Sequence, residues 1–256
     1  MNSLFKRFFS RPEPEGEMLK IETDLHSHLI PGIDDGSRSI EDSISFIRQF
    51  MQLGIHQFIT TPHIMKGGFD NNASNINAGL NKLRQRLADE HLNVKINAAA
   101  EYYFDDYFIS LIGKNELLTF GKKKYLLFEL PAYSKPASFE TAMFELITSG
   151  YQPVLAHPER YTYMHDRKLE KYEKIRDSGV LMQTNLLSYI GHYSKEIADV
   201  AIRLTRVGLI DFIGSDLHNQ NQLDRFSKAY SHPVVRQLIA SGQLLNDKIF
   251  DDSYGV

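Results

Sequence analysis

Histidine and acidic side chains recur in this sequence directly after short apolar runs of strand length. His26 and His28 stand in ETDLHSH, and the same pattern continues through TTPH, AAAEYY, LLFEL, VLAHPER and FIGSDLHN. Imidazole and carboxylate groups suit borderline and hard divalent cations, and the chain has no cysteine to offer a softer thiolate. If the ends of these runs meet in space, the residues would gather a cluster of metal ions, and the chain would be a metal-dependent hydrolase.

The first histidine pair has the spacing that two ligands of one ion require. Residues two apart on a strand project from the same face, so His26 and His28 would point together. Asp24 shares that face and could accept a hydrogen bond from a ligand imidazole. The pair alone is weak evidence for a metal site, because an exposed polar strand end could have the same two residues.

The turn that follows this pair adds two more carboxylates. Asp34 and Asp35 lie in IDDGS, which a glycine closes. One of them could point back at the same pocket while the other caps a helix that begins near Ser39.

Glu101 and Glu129 end the apolar runs AAAE and LLFE. A carboxylate buried beside such residues without a cation would be costly. These glutamates therefore either reach solvent in loops or bind something positive, and their equivalent positions favour a metal. His63 ends the TTPH run, although a lone histidine there would suit an ordinary loop equally well.

In the run HPER, the candidate metal ligand His157 is followed three residues later by Arg160. The planar guanidinium of an arginine can bind an anion through two parallel hydrogen bonds. Arg160 could instead form a surface salt bridge. Asp216 and His218 in SDLHN repeat the spacing of two seen in the first pair. Ser215 or Asn219 could hold one of these ligands in place.

The elements that must position these side chains alternate along the chain. Strand-length apolar runs are predicted at 21–25, 57–60, 94–100, 125–130, 153–156, 180–184 and 210–214. Segments with the helical spacing of three and four lie between them, and several end at a glycine, as at Gly54, Gly150 and Gly208. This rhythm is typical of a parallel α/β sheet with strands buried on both faces.

Seven such units favour a closed or nearly closed barrel. An open doubly wound sheet stays possible, although no GxGxxG loop follows the first strand. In a parallel barrel the functional residues sit at the carboxyl ends of the strands, and every polar group named above falls at that end. This shared placement supports the site more strongly than any single motif does.

Length, net charge and composition limit the classes of protein to which this chain can belong. The chain has 256 residues, enough for one large α/β domain, and a net charge of −3 that gives no reason to expect nucleic acid as a partner. The absence of cysteine excludes disulfides and a cysteine-based phosphatase, and it is compatible with the cytoplasm.

We predict a flexible basic and aromatic segment with a linker at 1–19 and a single catalytic domain at 20–256. Residues 1–11 could touch a membrane surface or a partner, or they could be a frayed terminus.

Together, DLHSHLIPGIDDGS, TTPH, AAE, HPER and SDLHN resemble the PHP superfamily, named for polymerase and histidinol phosphatase domains. More specifically, the sequence resembles bacterial metal-dependent protein-tyrosine phosphatases encoded with capsule and exopolysaccharide genes, over about 21–219. This resemblance implies a distorted seven-stranded TIM-like barrel, the PHP fold, with its active site at the carboxyl ends of the strands.

The resemblance also implies three divalent metal ions, most often manganese, with iron, zinc or magnesium as alternatives. The implied ligands of the first ion are His26, His28, Glu101 and Asp216; those of the second are Glu101, Glu129 and His157; those of the third are Asp35, His63 and His218. Arg160 matches a phosphate-binding arginine of the family. Lys66 matches a basic position after His63, and Arg225 is the candidate for a second arginine, two residues later than the family pattern. His218 or a water on the metal could act as the acid.

The implied activity is hydrolysis of phosphotyrosine in the cytoplasm, on the tyrosine-rich tail of a membrane-bound bacterial tyrosine kinase that controls polysaccharide synthesis. Rival enzymes on the same scaffold are a small-molecule phosphatase of the histidinol-phosphate type and a PHP phosphodiesterase or nuclease. The rival of another class is a regulatory module with a degenerate metal site.

Overall fold

Parallel strands and helices alternate along the chain in the computed structural model, which describes residues 21–114 and 116–251. The strands are β1 (Thr23–Asp24), β2 (Gln57–Thr60), β3 (His63–Ile64), β4 (Lys95–Ala98), β5 (Glu101–Tyr103), β6 (Tyr125–Glu129), β7 (Gln152–Ala156), β8 (Leu181–Asn185) and β9 (Phe212–Gly214). The α-helices are α1 (Ile40–Gln52), α2 (Ala73–Asp89), α3 (Asp106–Leu111), α4 (Phe139–Thr148), α5 (Glu170–Asp177), α6 (Lys195–Arg206), α7 (Gln220–Tyr230), α8 (Pro233–Ala240) and α9 (Lys248–Asp251). Short 3₁₀ helices cover Pro158–Arg160, Thr162–Met164 and Leu186–Ile190.

Local sequence explains where the long helices begin. The side chain of Ser39 accepts a hydrogen bond from the backbone N–H of Asp42 and starts α1, and Ser194 and Asn219 cap α6 and α7 in the same way. Asn72 and Asn75 form a reciprocal capping box at the start of α2. The cap of α1 is therefore Ser39 itself, and the expectation that Asp34 or Asp35 caps this helix is wrong.

The strands form two sheets, in the orders β1-β2-β4 and β3-β5-β6-β7-β8-β9, with every neighbouring pair parallel. Backbone hydrogen bonds continue across the break between the sheets. The N–H of Ala99 donates to Thr60 O at 2.9 Å, and that of Glu101 donates to Pro62 O at 3.1 Å. β2 and β3 thus act as one bent strand and β4 and β5 as another, which gives seven strand positions along the described chain.

The first and last strand positions also touch. Ser27 and Leu217 form an isolated parallel bridge, in which the N–H of His28 donates to Leu217 O at 3.0 Å. The N–H of Asp216 donates to His26 O at 2.7 Å beside it. The contact between β1 and β9 is thus a short bridge rather than a full ladder, and it brings residues nearly 200 positions apart side by side.

Apolar residues fill both faces of this arrangement. Alternate strand residues such as Ile59, Leu127 and Val154 belong to a small inner cluster, while their neighbours Phe58 and Phe128 belong to the large outer core under the helices. Glu101, Glu129 and Gln183 continue the inner series two residues beyond Ala99, Leu127 and Leu181. The strands therefore carry apolar residues inside and end in polar ones at the carboxyl rim.

The α/β fold of parallel strands predicted from the sequence is confirmed, and the five helices predicted between strands are present as α1, α2, α4, α5 and α6. The sequence pattern did not indicate α3, α7, α8 or α9. The predicted segment at 1–19 lies outside the described residues, and the single domain at 20–256 stays a prediction. Within the described ranges, no helix combines the length and apolar character needed to span a membrane.

Candidate metal centre

A cavity of about 390 Å³ opens at the carboxyl ends of the strands. Its walls are formed by Asp35, His63, Glu101, Glu129, His157, Arg160, Tyr193, Asp216, His218, Asn219 and Gln222. Most of these side chains are the candidates predicted from the sequence. The parallel topology explains the convergence, because each side chain follows a strand whose carboxyl end faces the same rim.

Two imidazoles and two carboxylates meet beneath this cavity, and the carboxylates of Glu101 and Asp216 also line it. Nε2 of His26 lies 3.1 Å from Glu101 Oε2 and 3.3 Å from Asp216 Oδ1, and Nε2 of His28 lies 3.5 and 3.4 Å from the same two oxygens. All four residues are buried. They form the set that the resemblance implied for the first ion.

A second set lies nearer the cavity mouth. Asp35 Oδ1 is 3.6 Å from His63 Nε2 and 3.3 Å from His218 Nε2. His28 joins this group, with its donor atoms close enough to share one cation. The three residues implied for the third ion are thus together, with His28 as an additional neighbour.

Glu101 and Glu129 form the third set, and two imidazoles lie near both of them. Nδ1 of His63 lies 3.2 Å from Glu101 and 3.5 Å from Glu129. His157 lies 2.9 Å from Glu101 and 3.8 Å from Glu129 through its Nε2. Both histidines can therefore complete this set, whereas the resemblance implied His157 alone.

The donor set fits divalent cations. Nε2 of His26, Nε2 of His28 and Oε2 of Glu101 are buried and find no hydrogen-bond partner among the described residues. Burial and the neighbouring Glu101 and Asp216 raise the pKa of the Glu129 carboxyl well above its usual range. Burial lowers the pKa of His26, but Glu101 and Asp216 outweigh it and raise that pKa to about 9. Without a metal, protons would therefore neutralise the charge of these carboxylates. Divalent cations can neutralise the same charge, and oxygen and nitrogen donors suit them.

The backbone is strained where two of the candidate ligands sit. His157 has a φ of 35° and Asp216 a φ of 51°, both in the left-handed region that non-glycine residues rarely adopt. Such conformations cluster at functional sites, where the surrounding structure enforces them. Gly214 allows β9 to approach His26 closely, because a Cβ at this position would lie 2.6 Å from His26 Cβ.

Asp34, rather than Asp24, orients a ligand histidine. Its Oδ2 lies 2.7 Å from Nδ1 of His28 and also accepts from the N–H of His63 at 3.1 Å. Asp24 instead accepts from the backbone and hydroxyl of Ser215, at 2.9 and 2.8 Å. The expectation that Asp24 accepts from an imidazole is therefore wrong.

Two neighbours of Asp216 have roles other than those expected. Ser215 donates to Asp24, and Asn219 caps α7, so neither holds a ligand side chain. The residue that does so is Asn185, whose Nδ2 donates to Asp216 Oδ2 at 2.7 Å. Gln183 lies inside the strand predicted at 180–184 and Asn185 directly after it, and two amides spaced by two there are a signal of the same kind as His26 and His28.

Arg160 reaches the cavity as predicted. Its Nη1 lies 2.9 Å from Asp216 Oδ2, and its guanidinium stacks at 4.7 Å from the ring centre of Tyr193. The Arg160 side chain is 37% exposed, so its remaining N–H groups can meet a ligand. Tyr193, which no sequence pattern indicated, packs against the guanidinium.

The other two basic candidates lie away from the cavity wall. Lys66 pairs with Asp70 at 3.0 Å and lies 5.8 Å from the ring centre of Tyr107. Arg225 is exposed on α7 and has its Nη1 3.3 Å from His192 Nδ1. Neither lines the cavity, and their contact with a phosphorylated substrate stays a prediction.

Comparison with known proteins gives a consistent result. The sequence model of the family described as capsular polysaccharide synthesis, CpsB/CapC, matches residues 22–232. The chain is 30% identical over 237 residues to the tyrosine-protein phosphatase YwqE of Bacillus subtilis (strain 168), a match that covers 89% of this chain and 93% of that protein.

Solved structures resemble the fold. One described as YwqE from Bacillus subtilis and CpsB from Streptococcus pneumoniae, unique metal-dependent tyrosine phosphatases, superposes with a TM-score of 0.77 at 25% identity, covering 91% of this chain and 96% of that one. Histidinol phosphate phosphatase from Lactococcus lactis superposes with a TM-score of 0.53 at 13% identity, covering 88% and 94%. The second likeness concerns the fold alone.

Proposed function

Since the chain belongs to the CpsB/CapC family of capsular polysaccharide synthesis, we propose that it is a metal-dependent protein-tyrosine phosphatase. The observation that carries the proposal is the convergence of nine histidine and acidic side chains on one cavity. A degenerate regulatory module would be expected to lack some of these donors. The relatives' names and the metal dependence of the related structure support the same activity.

We assign the nine side chains to three divalent ions, with manganese as the preferred metal. His26, His28, Glu101 and Asp216 would hold one ion, and Asp35, His63 and His218 another. Glu101, Glu129 and His157 would hold a third, to which His63 is also close. Bound there, the cations would supply Lewis-acid stabilisation of phosphate charge and lower the pKa of a water molecule.

The chain's own residues bind and orient the substrate. The Arg160 guanidinium, held against Tyr193, donates hydrogen bonds to phosphate oxygens. The tyrosine leaving group has a pKa near 10, so it departs with less help from an acid than an alkyl alcohol needs. Because His218 is assigned to a cation, a water molecule in the cavity is our candidate for returning a proton to the leaving oxygen.

The substrate we propose is phosphotyrosine in the tyrosine-rich tail of a membrane-bound kinase that controls capsule or exopolysaccharide synthesis, hydrolysed in the cytoplasm. Membership of a capsular polysaccharide synthesis family supports this choice. The 37% exposure of the Arg160 side chain leaves its guanidinium within reach of a phosphotyrosine presented by a peptide. Any contact of residues 1–11 with the membrane would be peripheral.

Substrate preference separates this proposal from its nearest rival. With Mn²⁺ present, we expect the protein to hydrolyse a phosphotyrosine peptide faster than histidinol phosphate, measured by release of inorganic phosphate at equal substrate concentrations. A matched phosphoserine peptide is the control for recognition of the aromatic ring. Faster hydrolysis of histidinol phosphate would favour a small-molecule phosphatase instead.

Arg160→Ala should lower kcat/KM for the phosphotyrosine peptide by about 10- to 100-fold, because a charged hydrogen bond contributes about 1.5–3 kcal/mol. Manganese content, measured by elemental analysis, should stay at the wild-type level. Arg176→Ala is the matched control: Arg176 is similarly exposed, at 34%, and pairs with Asp211 outside the cavity. Loss of manganese in Arg160→Ala would contradict the phosphate-binding role and show that Arg160 mainly holds Asp216.

A further inference from the structure

Two amide side chains on β8 connect ligands that belong to the same candidate cation. Gln183 and Asn185 are fully buried and stand two residues apart, so both face the interior below the cavity. We call this pair the amide bridge. The proposed hydrolysis uses neither amide directly.

The Gln183 end of the amide bridge determines which nitrogen of His26 faces the cations. Nδ1 of His26 lies 2.8 Å from Gln183 Oε1, and an amide oxygen can only accept. The orientation of this amide follows from its other contact, because Nε2 of Gln183 donates to Asn185 Oδ1 at 3.0 Å. In the neutral form that binds a metal, His26 must therefore carry its proton on Nδ1, which leaves the lone pair of Nε2 for a cation held with Glu101 and Asp216.

The Asn185 end fixes the carboxylate. Its Nδ2 donates to Asp216 Oδ2 at 2.7 Å, so that Oδ1 of Asp216 faces His26 and His28 at 3.3 and 3.4 Å. The backbone N–H of Asn185 donates to the buried Glu159 Oε1 at 3.0 Å, which anchors the strand end. One short hydrogen-bonded path thus runs from His26 through both amides to Asp216.

We propose that the amide bridge is a positioning device that holds His26 and Asp216 in the tautomer and orientation needed to bind one cation, and so sets the affinity of that site. The inference rests on the proposed function, because it assumes that these ligands bind metal. Neither amide touches the substrate. Both act through the ligands that they hold, as hydrogen-bond partners of metal-binding side chains do.

The test measures Mn²⁺ binding by isothermal titration calorimetry on the metal-stripped full-length chain. Gln183→Met keeps the side-chain length but removes both hydrogen bonds, and Asn185→Leu does the same for Asp216. We expect each to weaken binding at the affected site by about 10- to 100-fold. Gln183→Glu keeps an acceptor for His26 Nδ1 and should recover most of the affinity that Gln183→Met loses.

A matched control separates positioning from simple packing. Asn246 is as buried as Asn185, and its side chain accepts from Ile213 N–H at 3.1 Å and donates to Ile213 O and Thr23 O. Its partners are backbone atoms of Ile213 and Thr23, not side chains of the candidate ligands. Asn246→Leu should lower the melting temperature of the metal-free protein while its Mn²⁺ affinity stays at the wild-type value.

The outcomes distinguish this inference from the proposed function. Wild-type Mn²⁺ affinity in Gln183→Met and Asn185→Leu, with the wild type binding metal and hydrolysing phosphotyrosine, would overturn the inference alone. Equal weakening in Asn246→Leu would overturn it too, because any buried amide would then have the same effect. Weakened Mn²⁺ binding in both amide-bridge variants of a protein without phosphotyrosine hydrolysis would support the inference and overturn the proposed function.

Discussion

Glu101→Gln should lower the turnover of a phosphotyrosine peptide by about 1,000-fold or more, since metal ions contribute several kcal/mol to charge stabilisation and each 1.36 kcal/mol is a factor of ten. Glu101 is the central carboxylate of the cluster. Its oxygens lie 3.1 Å from His26, 3.2 Å from His63 and 2.9 Å from His157. Replacing one oxygen by an amide nitrogen removes a ligand that two of the candidate sites share.

Steady-state kinetics and elemental analysis of the same samples test this expectation, and circular dichroism checks that the fold is retained. Glu173→Gln is the matched control, because it makes the same chemical change on the exposed surface of α5. It should keep wild-type turnover and metal content. Wild-type kinetics in Glu101→Gln would show that this carboxylate holds no catalytic metal.

Adding Mn²⁺ to the metal-stripped protein should raise its melting temperature by about 5–10 °C for each site filled at a hundred times its Kd. A ligand at that concentration stabilises the folded state by about 2.7 kcal/mol, and each kcal/mol moves the melting temperature of a chain of this size by about 2–4 °C. The physical reason is the crowding of buried carboxylates, which keeps the pKa of Glu129 far above its usual range through burial and through Glu101 and Asp216.

Differential scanning calorimetry with increasing Mn²⁺ gives the shift directly. Glu173→Gln should shift as the wild type does, whereas Glu101→Gln should shift less because two sites lose a ligand. An unchanged melting temperature at saturating Mn²⁺ would contradict the assignment of the cluster as a metal centre.

The sequence was sufficient to predict the rim on which the site lies, for a reason that particular strands make clear. Glu101 and Glu129 each follow an apolar run, and a parallel fold places the carboxyl ends of such runs together. The spacing of two residues between His26 and His28 likewise predicted that their side chains point together. These predictions needed only the direction of each strand.

Which of these side chains lie close enough to share one cation could not be predicted in the same way. Whether His63 or His157 lies closest to Glu129 depends on ring orientations set by the bend between β2 and β3 and by the left-handed backbone at His157. The choice between Asp24 and Asp34 as the partner of an imidazole depends on how the turn before α1 folds back. Such details follow from tertiary packing, which short patterns in a sequence do not encode.

The bridge between Ser27 and Leu217 has a consequence for the order of events during synthesis. His26 and His28 leave the ribosome early, but their partner Asp216 follows only after nearly 200 further residues have been translated. Pairings of such long range are slow to form, because the intervening chain must first be arranged. We therefore expect the first cation to be captured late, by an almost complete polypeptide, so that a nascent chain stalled before β9 would expose histidines without retaining manganese.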